Sequence, residues 1–180
     1  GTTAYDYAGS VNITLQGMTP NDPGQFNRSV LAAGTYDWAA SSSNLNYANA
    51  SSMVMSMTLK RNSVDQEKTT VRYGNFSVAY FLMQFNGSNT LFVYLNGPRI
   101  TSTEALGPTG AYHTYTAVFN GSLSNEDRVK LYYDGALKTV SADGSYPTEM
   151  PGTTYPVYMN HDGGWGQPGN YDNVYFMTSA

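Results

Sequence analysis

Apolar and polar residues alternate with a period of two along most of this chain. Between residues 53 and 60 the odd positions are Met, Met, Met and Leu, and the even positions are mostly polar. Successive side chains of a β-strand point to opposite faces, so this pattern predicts a strand with one buried face. We therefore expect Met53, Met55 and Met57 to fill a core rather than to form a binding surface.

Turn signals separate the predicted strands from one another. Residues 78–85 and 90–95 flank an Asn-Gly-Ser-Asn connection, and residues 128–133 and 136–140 flank Asp134-Gly135. Both are hairpin signals, and an Asp-Gly pair suits the two-residue type I′ turn. Further strands are predicted at residues 11–15, 69–73, 112–119, 155–159 and 173–178.

Two short segments depart from the alternation. Residues 19–24 read Thr-Pro-Asn-Asp-Pro-Gly, which predicts a loop. Ser124 is predicted to cap a single helical turn. Because helix is so scarce and turns recur at short, fairly even spacing, the chain is predicted to be all-β, a two-sheet antiparallel jelly-roll sandwich.

Four segments occur in an order that resembles a known family. They are Ser-Asn-Leu-Asn-Tyr at 43–47 with the strand that follows from Met53, Tyr-His-Thr-Tyr-Thr-Ala-Val-Phe-Asn-Gly at 112–121, Val-Lys-Leu-Tyr-Tyr-Asp-Gly at 129–135, and Tyr-Asp-Asn-Val-Tyr-Phe at 171–176. Together they resemble the laminin-G-like jelly-roll domains of the concanavalin A-like lectin and glucanase superfamily. The resemblance implies two stacked antiparallel sheets, one of them concave. It also implies functions that are mostly sugar binding, adhesion or structural, with a minority of glycan hydrolases and lyases.

The resemblance also indicates a domain organisation. Tyr112 stands where the family usually has Trp, and residues 1–35 match nothing in the family. A chain of 180 residues has the length of one domain. We predict a single sandwich over residues 1–180 with a laminin-G-like core at 36–180, and residues 1–35 as either an N-terminal arm or extra strands.

Charge and composition exclude several partners. Charged residues make up only 12% of the chain, about half the usual share, and the net charge is -4. No basic stripe is present that would neutralise a row of phosphates, so neither nucleic acid nor an anionic membrane surface is expected as a partner. No apolar run approaches the ~20 residues needed for membrane insertion. The chain has no Cys, which excludes thiolate catalysis and disulfides.

One segment near the end of the chain has the composition of a sugar site. Aromatic rings stack on sugars, amide and carboxylate groups hydrogen-bond to hydroxyls, and glycines let a ligand approach the backbone. The candidate carbohydrate-binding residues are Tyr158, Asn160, His161, Asp162, Trp165 and Gln167. The alternative is a loop whose Trp165 simply covers the end of the sandwich. The sequence does not decide whether Trp38 lies in the core or at the rim.

Oxygen-bearing side chains in the same region suggest a metal. Asn160, Asp162 and Asp172 are candidate ligands for Ca²⁺, a hard cation that prefers oxygen. No other cofactor is expected.

Catalytic groups are sparse. A glycan hydrolase needs two carboxylates facing one sugar, and no predicted strand carries acids two or four residues apart. His113, with tyrosines nearby, is a candidate lyase base, although a lone His in a strand is more often a hydrogen-bonded surface residue. We predict that the chain is not an enzyme.

Six Asn-x-Ser/Thr triplets are candidate glycosylation sites. Their asparagines are Asn12, Asn27, Asn49, Asn75, Asn86 and Asn120.

These observations lead to three functional hypotheses. The favoured one is a non-enzymatic extracellular or virion-surface module that binds carbohydrate or a glycoprotein surface. The alternative is a structural surface protein, such as a virion decoration, fibre or filament subunit, that contacts copies of itself or a neighbouring structural protein and is itself glycosylated. A glycan hydrolase or lyase is the least favoured.

Overall fold

The computed structural model describes residues 3–4, 13–24, 27–41, 47–63, 68–74, 79–107, 109–152, 155–160 and 166–178. The strands are β1 (Thr3–Ala4), β2 (Ile13–Gln16), β3 (Thr19–Gly24), β4 (Asn27–Ala32), β5 (Trp38–Ser41), β6 (Ser52–Arg61), β7 (Lys68–Gly74), β8 (Ala79–Phe85), β9 (Leu91–Tyr94), β10 (Arg99–Ser102), β11 (Tyr112–Asn120), β12 (Val129–Tyr133), β13 (Ala136–Leu137), β14 (Val140–Ala142), β15 (Val157–Met159) and β16 (Gly169–Thr178). A 3₁₀ turn at Asn125–Asp127 lies between β11 and β12.

The described strands form two antiparallel sheets. The first has nine strands in the order β1-β2-β5-β15-β7-β8-β9-β10-β14, and the second has seven in the order β13-β12-β11-β6-β16-β4-β3. Side chains from both sheets share one buried apolar cluster. This arrangement confirms the predicted all-β, two-sheet jelly-roll sandwich.

The core is centred on β6, which pairs with β11 on one side and β16 on the other. Met53, Met55 and Met57 are completely buried, as is Leu59. The intervening side chains of β6 point to the other face of the sheet, as its two-residue period requires. The predicted role of the methionines as core residues is therefore confirmed.

Both predicted hairpins are present. Tyr133 pairs with Ala136, and the two residues between them, Asp134 and Gly135, have φ angles of 48° and 78°. Two consecutive positive φ angles are the signature of the type I′ turn. β8 and β9 likewise form an antiparallel pair across the Asn-Gly-Ser-Asn connection.

Residues 136–140 were predicted as one strand, but the structure divides them. Ala136–Leu137 forms β13 at the edge of the seven-stranded sheet, whereas β14 begins at Val140 and pairs with β10 in the nine-stranded sheet. The chain crosses between the two sheets at this point. The sequence has no Gly or Pro between Leu137 and Val140 to mark this break, which is why it reads as one strand.

The prediction of a loop at residues 19–24 is wrong. Thr19–Gly24 forms β3, which pairs with β4 at the edge of the seven-stranded sheet. Proline lacks the N–H that a central strand must donate on both sides, but an edge strand leaves every other N–H unpaired. Pro20 and Pro23 are therefore compatible with this position.

The 3₁₀ turn is present, but its cap differs from the prediction. Ser124 occupies the N-cap position without bonding to a backbone N–H. Its hydroxyl instead donates to Asp127 Oδ2 at 3.1 Å. The turn is thus closed by this side-chain pair together with the Asp127 N–H, which donates to the Ser124 carbonyl at 3.0 Å.

Strands from the first 35 residues lie in both sheets. β2 pairs with β5 in the nine-stranded sheet, and β4 pairs with β16 in the seven-stranded sheet. Of the family-like segment at 43–47, only Tyr47 is among the described residues.

Candidate functional site

Asn160, a predicted sugar and calcium ligand, is completely buried. Its side-chain amide donates to the carbonyl oxygens of Asp37 at 2.6 Å and Gly34 at 3.1 Å. Its backbone N–H donates to the Thr70 carbonyl at 2.7 Å. Both amide hydrogens are therefore committed to holding the turn that precedes β5 against the end of β15.

Gln167 belongs to the same buried network. Its side-chain amide donates to the carbonyl oxygens of Pro168 at 3.0 Å and Ser63 at 3.4 Å. The Tyr171 hydroxyl lies 2.7 Å from Gln167 O and 3.2 Å from Asn160 Oδ1. Burial raises the pKa of Tyr171 well above its ordinary value. The structure thus brings Asn160 and Gln167 together, as parts of the interior.

The remaining residues predicted around them are only partly accounted for. His161, Asp162 and Trp165 lie outside the described residues. Asp172 is buried in β16 of the seven-stranded sheet, whereas Asn160 follows β15 of the nine-stranded sheet. Within the described ranges, no group of three or more His, Asp or Glu side chains is arranged to hold a metal ion. The calcium site stays a prediction.

Tyr158 is the predicted site residue that faces outward. It lies in β15 between Val157 and Met159, which are both buried, so its side chain points to the outer side of the nine-stranded sheet. Its ring centroid lies 6.1 Å from that of Trp38, with the two planes inclined at 60°. The Arg72 guanidinium carbon lies 5.0 Å from the Tyr158 ring centroid, which is cation–π distance.

The sequence did not decide whether Trp38 is a core or a rim residue, and the structure does. Ala39, next to it in β5, is completely buried, so Trp38 points to the opposite, outer side of the sheet. Its side chain is half-buried. Trp38 and Tyr158 therefore form a pair of large aromatic side chains on adjacent strands of one face.

The same face continues over the neighbouring strands. Arg72 pairs with Leu82, Leu82 with Tyr94, and Tyr94 with Arg99. Phe92 lies edge-on to Tyr94 with ring centroids 6.4 Å apart, and Arg99 stacks on Phe92 at 4.9 Å. We call this set of side chains the aromatic face; its members are Trp38, Arg72, Leu82, Phe92, Tyr94, Arg99 and Tyr158. Of these, Arg72, Leu82 and Phe92 are buried, and the other four are half-buried.

The aromatic face extends over several strands and carries an exposed ion pair at its Tyr94 end. Tyr158 and Tyr94 are three strands apart in the order β15-β7-β8-β9, which at strand spacing is about 14 Å. At the Tyr94 end, Arg99 Nε lies 3.0 Å from Asp143 Oδ2, and both side chains are substantially exposed. The pKa of Arg99 is raised, chiefly by its hydrogen bond with Tyr94. An exposed ion pair thus adjoins the Phe92–Tyr94 end of the aromatic face.

His113, the predicted lyase candidate, lies in the other sheet. Its Nδ1 is 2.7 Å from Asp134 Oδ2, and its ring packs on Tyr133 with centroids 4.9 Å apart. Its Nε2 is buried and has no hydrogen-bond partner among the described residues. Burial raises the pKa of Tyr133 to about 12. The geometry is that of a hydrogen-bonded strand residue at the sandwich end, separate from the aromatic face.

Four of the six predicted glycosylation sites fall on described backbone. Asn27 begins β4, while Asn49, Asn86 and Asn120 lie in turns or at a strand end. Asn49 is exposed, and Asn86 and Asn120 are half-buried. Asn12 and Asn75 lie outside the described residues.

Sequence reasoning missed most of the aromatic face. Arg72, Phe92, Tyr94 and Arg99 were not among the predicted site residues. A signal for two of them was present, since Phe92 and Tyr94 alternate with the apolar residues 91, 93 and 95 of a predicted strand. An aromatic side chain opposite the buried face of a strand indicates a second contact surface.

Comparisons with known proteins give structural matches only. No protein-family model and no curated protein sequence matches the chain. A Trypanosoma rangeli sialidase in complex with 2,3-difluorosialic acid has a TM-score of 0.66 at 10% identity, covering 98% of this chain and 28% of its own. The botulinum neurotoxin serotype D binding domain has a TM-score of 0.62 at 13% identity, covering 93% and 43%. An SAP-like pentraxin from Limulus polyphemus has a TM-score of 0.55 at 9% identity, covering 74% and 67%.

These matches, at identities of 9 to 13%, show a shared β-sandwich fold. The chain spans about 28% of the length of the sialidase chains that it matches. No helix in the part of the chain that the structure describes is long and apolar enough to cross a membrane.

The sialidase matches correct the functional prediction. The sequence predicted a non-enzymatic carbohydrate-binding or adhesion module, with a structural surface protein as the alternative. That prediction is wrong, because the sandwich aligns over 98% of its length with one part of an enzyme chain. The laminin-G-like assignment stays a prediction within the confirmed sandwich fold.

Proposed function

We propose that this chain is the β-sandwich domain of a longer glycan-processing protein and that its aromatic face contacts the glycan. The alignment of the whole sandwich with a minor part of a sialidase chain supports the first part of the proposal. The toxin binding domain, a second protein with this fold, supports a binding role for the sandwich itself.

The Trp38–Tyr158 pair is the observation that carries the contact surface. Both rings are half-buried on the outer side of adjacent strands, and their centroids are 6.1 Å apart. A flat aromatic ring offers a large apolar surface at a small cost in conformational entropy, and the C–H faces of a pyranose ring match it. The Arg72 guanidinium packs against Tyr158 and fixes the ring before a ligand arrives.

The length of the aromatic face favours an oligosaccharide over a single sugar. The second aromatic pair, Phe92 and Tyr94, lies about 14 Å across the strands from Tyr158. Arg99 and Asp143 at that end provide exposed hydrogen-bonding groups for hydroxyls. A chain of several sugars would cross the strands and contact the Trp38–Tyr158 pair at one end and the half-buried Tyr94 at the other.

We place the protein outside the cell, with a carbohydrate or glycoprotein surface as its partner and no nucleic acid or membrane insertion. Self-association, absence of a cofactor and absence of catalytic groups in this chain stay predictions.

Glycan-array binding followed by calorimetric titration of the best ligand tests the proposal. Trp38→Ala and Tyr158→Ala each remove one stacking ring, worth about 1 kcal/mol or more, so each is expected to weaken binding about fivefold or more. Tyr36→Ala is the matched control, because Tyr36 lies two residues from Trp38 and is 78% exposed. Unchanged affinity in both face variants, or no binding to any glycan, contradicts the proposal.

A further inference from the structure

Two sequons meet at one end of the sandwich. Asn120 is the last residue of β11 and pairs with Ser52, the first residue of β6. The N–H of Gly121, the middle residue of the second sequon, donates to the carbonyl of Ser51, the last residue of the first sequon, at 2.8 Å. The sequons of Asn49 and Asn120 are therefore directly joined through the backbone.

In the Asn120 sequon, the side-chain amide is arranged so that its nitrogen could receive a sugar. Asn120 Oδ1 accepts from the Ser122 N–H at 3.1 Å and from the Ser122 hydroxyl at 2.7 Å. These two bonds occupy the oxygen, and Nδ2 makes no hydrogen bond among the described residues. The hydroxyl that the sequon requires is thus engaged with the amide that would react, while the nitrogen remains available.

In the Asn49 sequon, both polar side chains are exposed. Asn49 lies in a turn with a φ of 63°, and its side chain is exposed. Ser51 is exposed as well. Asparagine is among the few residues that tolerate this left-handed conformation.

Asn86 provides an internal comparison, because residues 86–88 and 120–122 have the same Asn-Gly-Ser sequence. Asn86 Oδ1 also accepts from the N–H two residues on, at 3.0 Å. Its second bond comes from the Thr90 N–H at 3.0 Å instead of from the Ser88 hydroxyl. Two identical tripeptides therefore differ in whether the hydroxyl engages the amide.

We infer that Asn49 and Asn120 form a paired N-glycan acceptor patch and that Asn120 is modified in preference to Asn86. In the reaction, Nδ2 attacks C1 of a lipid-linked sugar diphosphate. The N–C1 bond forms, the C1–O bond to the diphosphate breaks, and one Nδ2 proton passes to a base of the transferase. The inference is independent of the proposed function.

The patch lies far from the start of the aromatic face. β6 runs from Ser52 beside the patch to Arg61, which pairs with Gly169 next to the Asn160–Gln167 network. Ten strand residues extend about 30 Å. Glycans on the patch would cover one end of the sandwich and leave Trp38, beside that network, uncovered.

Glycopeptide mapping of the chain secreted from a host that N-glycosylates tests this inference. Enzymatic release in heavy-oxygen water marks each modified Asn as Asp. We expect occupancy at Asn49 and Asn120, and lower occupancy at Asn86. Asn49→Gln and Asn120→Gln should each remove one glycan from the intact mass, whereas Asn62→Gln, outside any sequon, should remove none.

The hydroxyl is tested separately, in case a Gln variant folds poorly. Ser122→Ala is expected to abolish modification of Asn120, and Ser122→Thr to retain it. Absence of glycan at Asn49 or Asn120, or occupancy of Asn86 equal to or above that of Asn120, overturns the inference.

Discussion

The side-chain amide of Asn160 donates to the carbonyl oxygen of Asp37 at 2.6 Å, across a sequence separation of 123 residues. This bond joins the end of β15 to the turn that leads into Trp38. A buried carbonyl that loses its donor pays the full cost of its desolvation. The position of Trp38 on the aromatic face therefore depends on Asn160, which is itself completely buried.

Asn160→Ala is expected to destabilise the protein by about 1–3 kcal/mol more than Asn96→Ala, measured by urea denaturation. Asn96 is a matched control because it is exposed and has a φ of 51°, close to the 55° of Asn160. The loss of an αL asparagine is thus common to both variants. Equal destabilisation would show that the bonds to Asp37 and Gly34 contribute nothing.

Gly107 lies beside Tyr133 and His113. Its φ is 65°. A Cβ added there would overlap the Tyr133 hydroxyl and lie 2.7 Å from Tyr133 Cζ. Gly110, with a φ of 86°, has open space around the same position. The positive φ strains both Ala variants, so the difference between them measures the overlap alone. Gly107→Ala should therefore destabilise the protein by about 1–3 kcal/mol more than Gly110→Ala in a denaturation experiment. If the two unfold alike, this contact is not tight.

The partly buried Tyr133 and the buried Tyr146 should make the protein sensitive to alkali. Burial raises the pKa of Tyr133 and Tyr146 from 10.0 to about 12. A raised pKa means that the folded state holds the proton more tightly than the unfolded state does. The associated stability is fully present below pH 10 and is lost as the pH rises towards 12.

The measurement is the free energy of unfolding as a function of pH, with tyrosinate absorbance recorded alongside. Tyr133→Phe and Tyr146→Phe each remove one titrating hydroxyl, so the alkaline decline should become shallower in each. Tyr36→Phe, at an exposed position, should leave it unchanged. A wild-type protein whose stability stays constant to pH 12 would contradict the burial of these hydroxyls.

The sandwich itself was predictable because its core strand must bury one face. Alternation at residues 53–60 identified β6, and Asp134-Gly135 identified a hairpin that only such residues close readily. The failure at β3 has a physical reason as well. Proline is a loop signal in general, and the sequence does not show that this segment lies at a sheet edge.

The site was less predictable, because the role of a polar residue depends on distant partners. Asn160 and Gln167 have the chemistry of ligand-binding residues, but buried carbonyls at residues 34, 37, 63 and 168 use their donors. Trp38 and Ala39 are both apolar, so alternation could not show which of the two points inward. Only the sheet order places Trp38 beside Tyr158.

The most direct test of the glycan-contacting face is to map backbone amide shifts by NMR while titrating the oligosaccharide that binds best. The proposed function predicts that the largest changes fall on β5, β15 and β9, around Trp38, Tyr158 and Tyr94. Changes centred on Tyr175 and Met177, the exposed side chains of β16 in the opposite sheet, would contradict it.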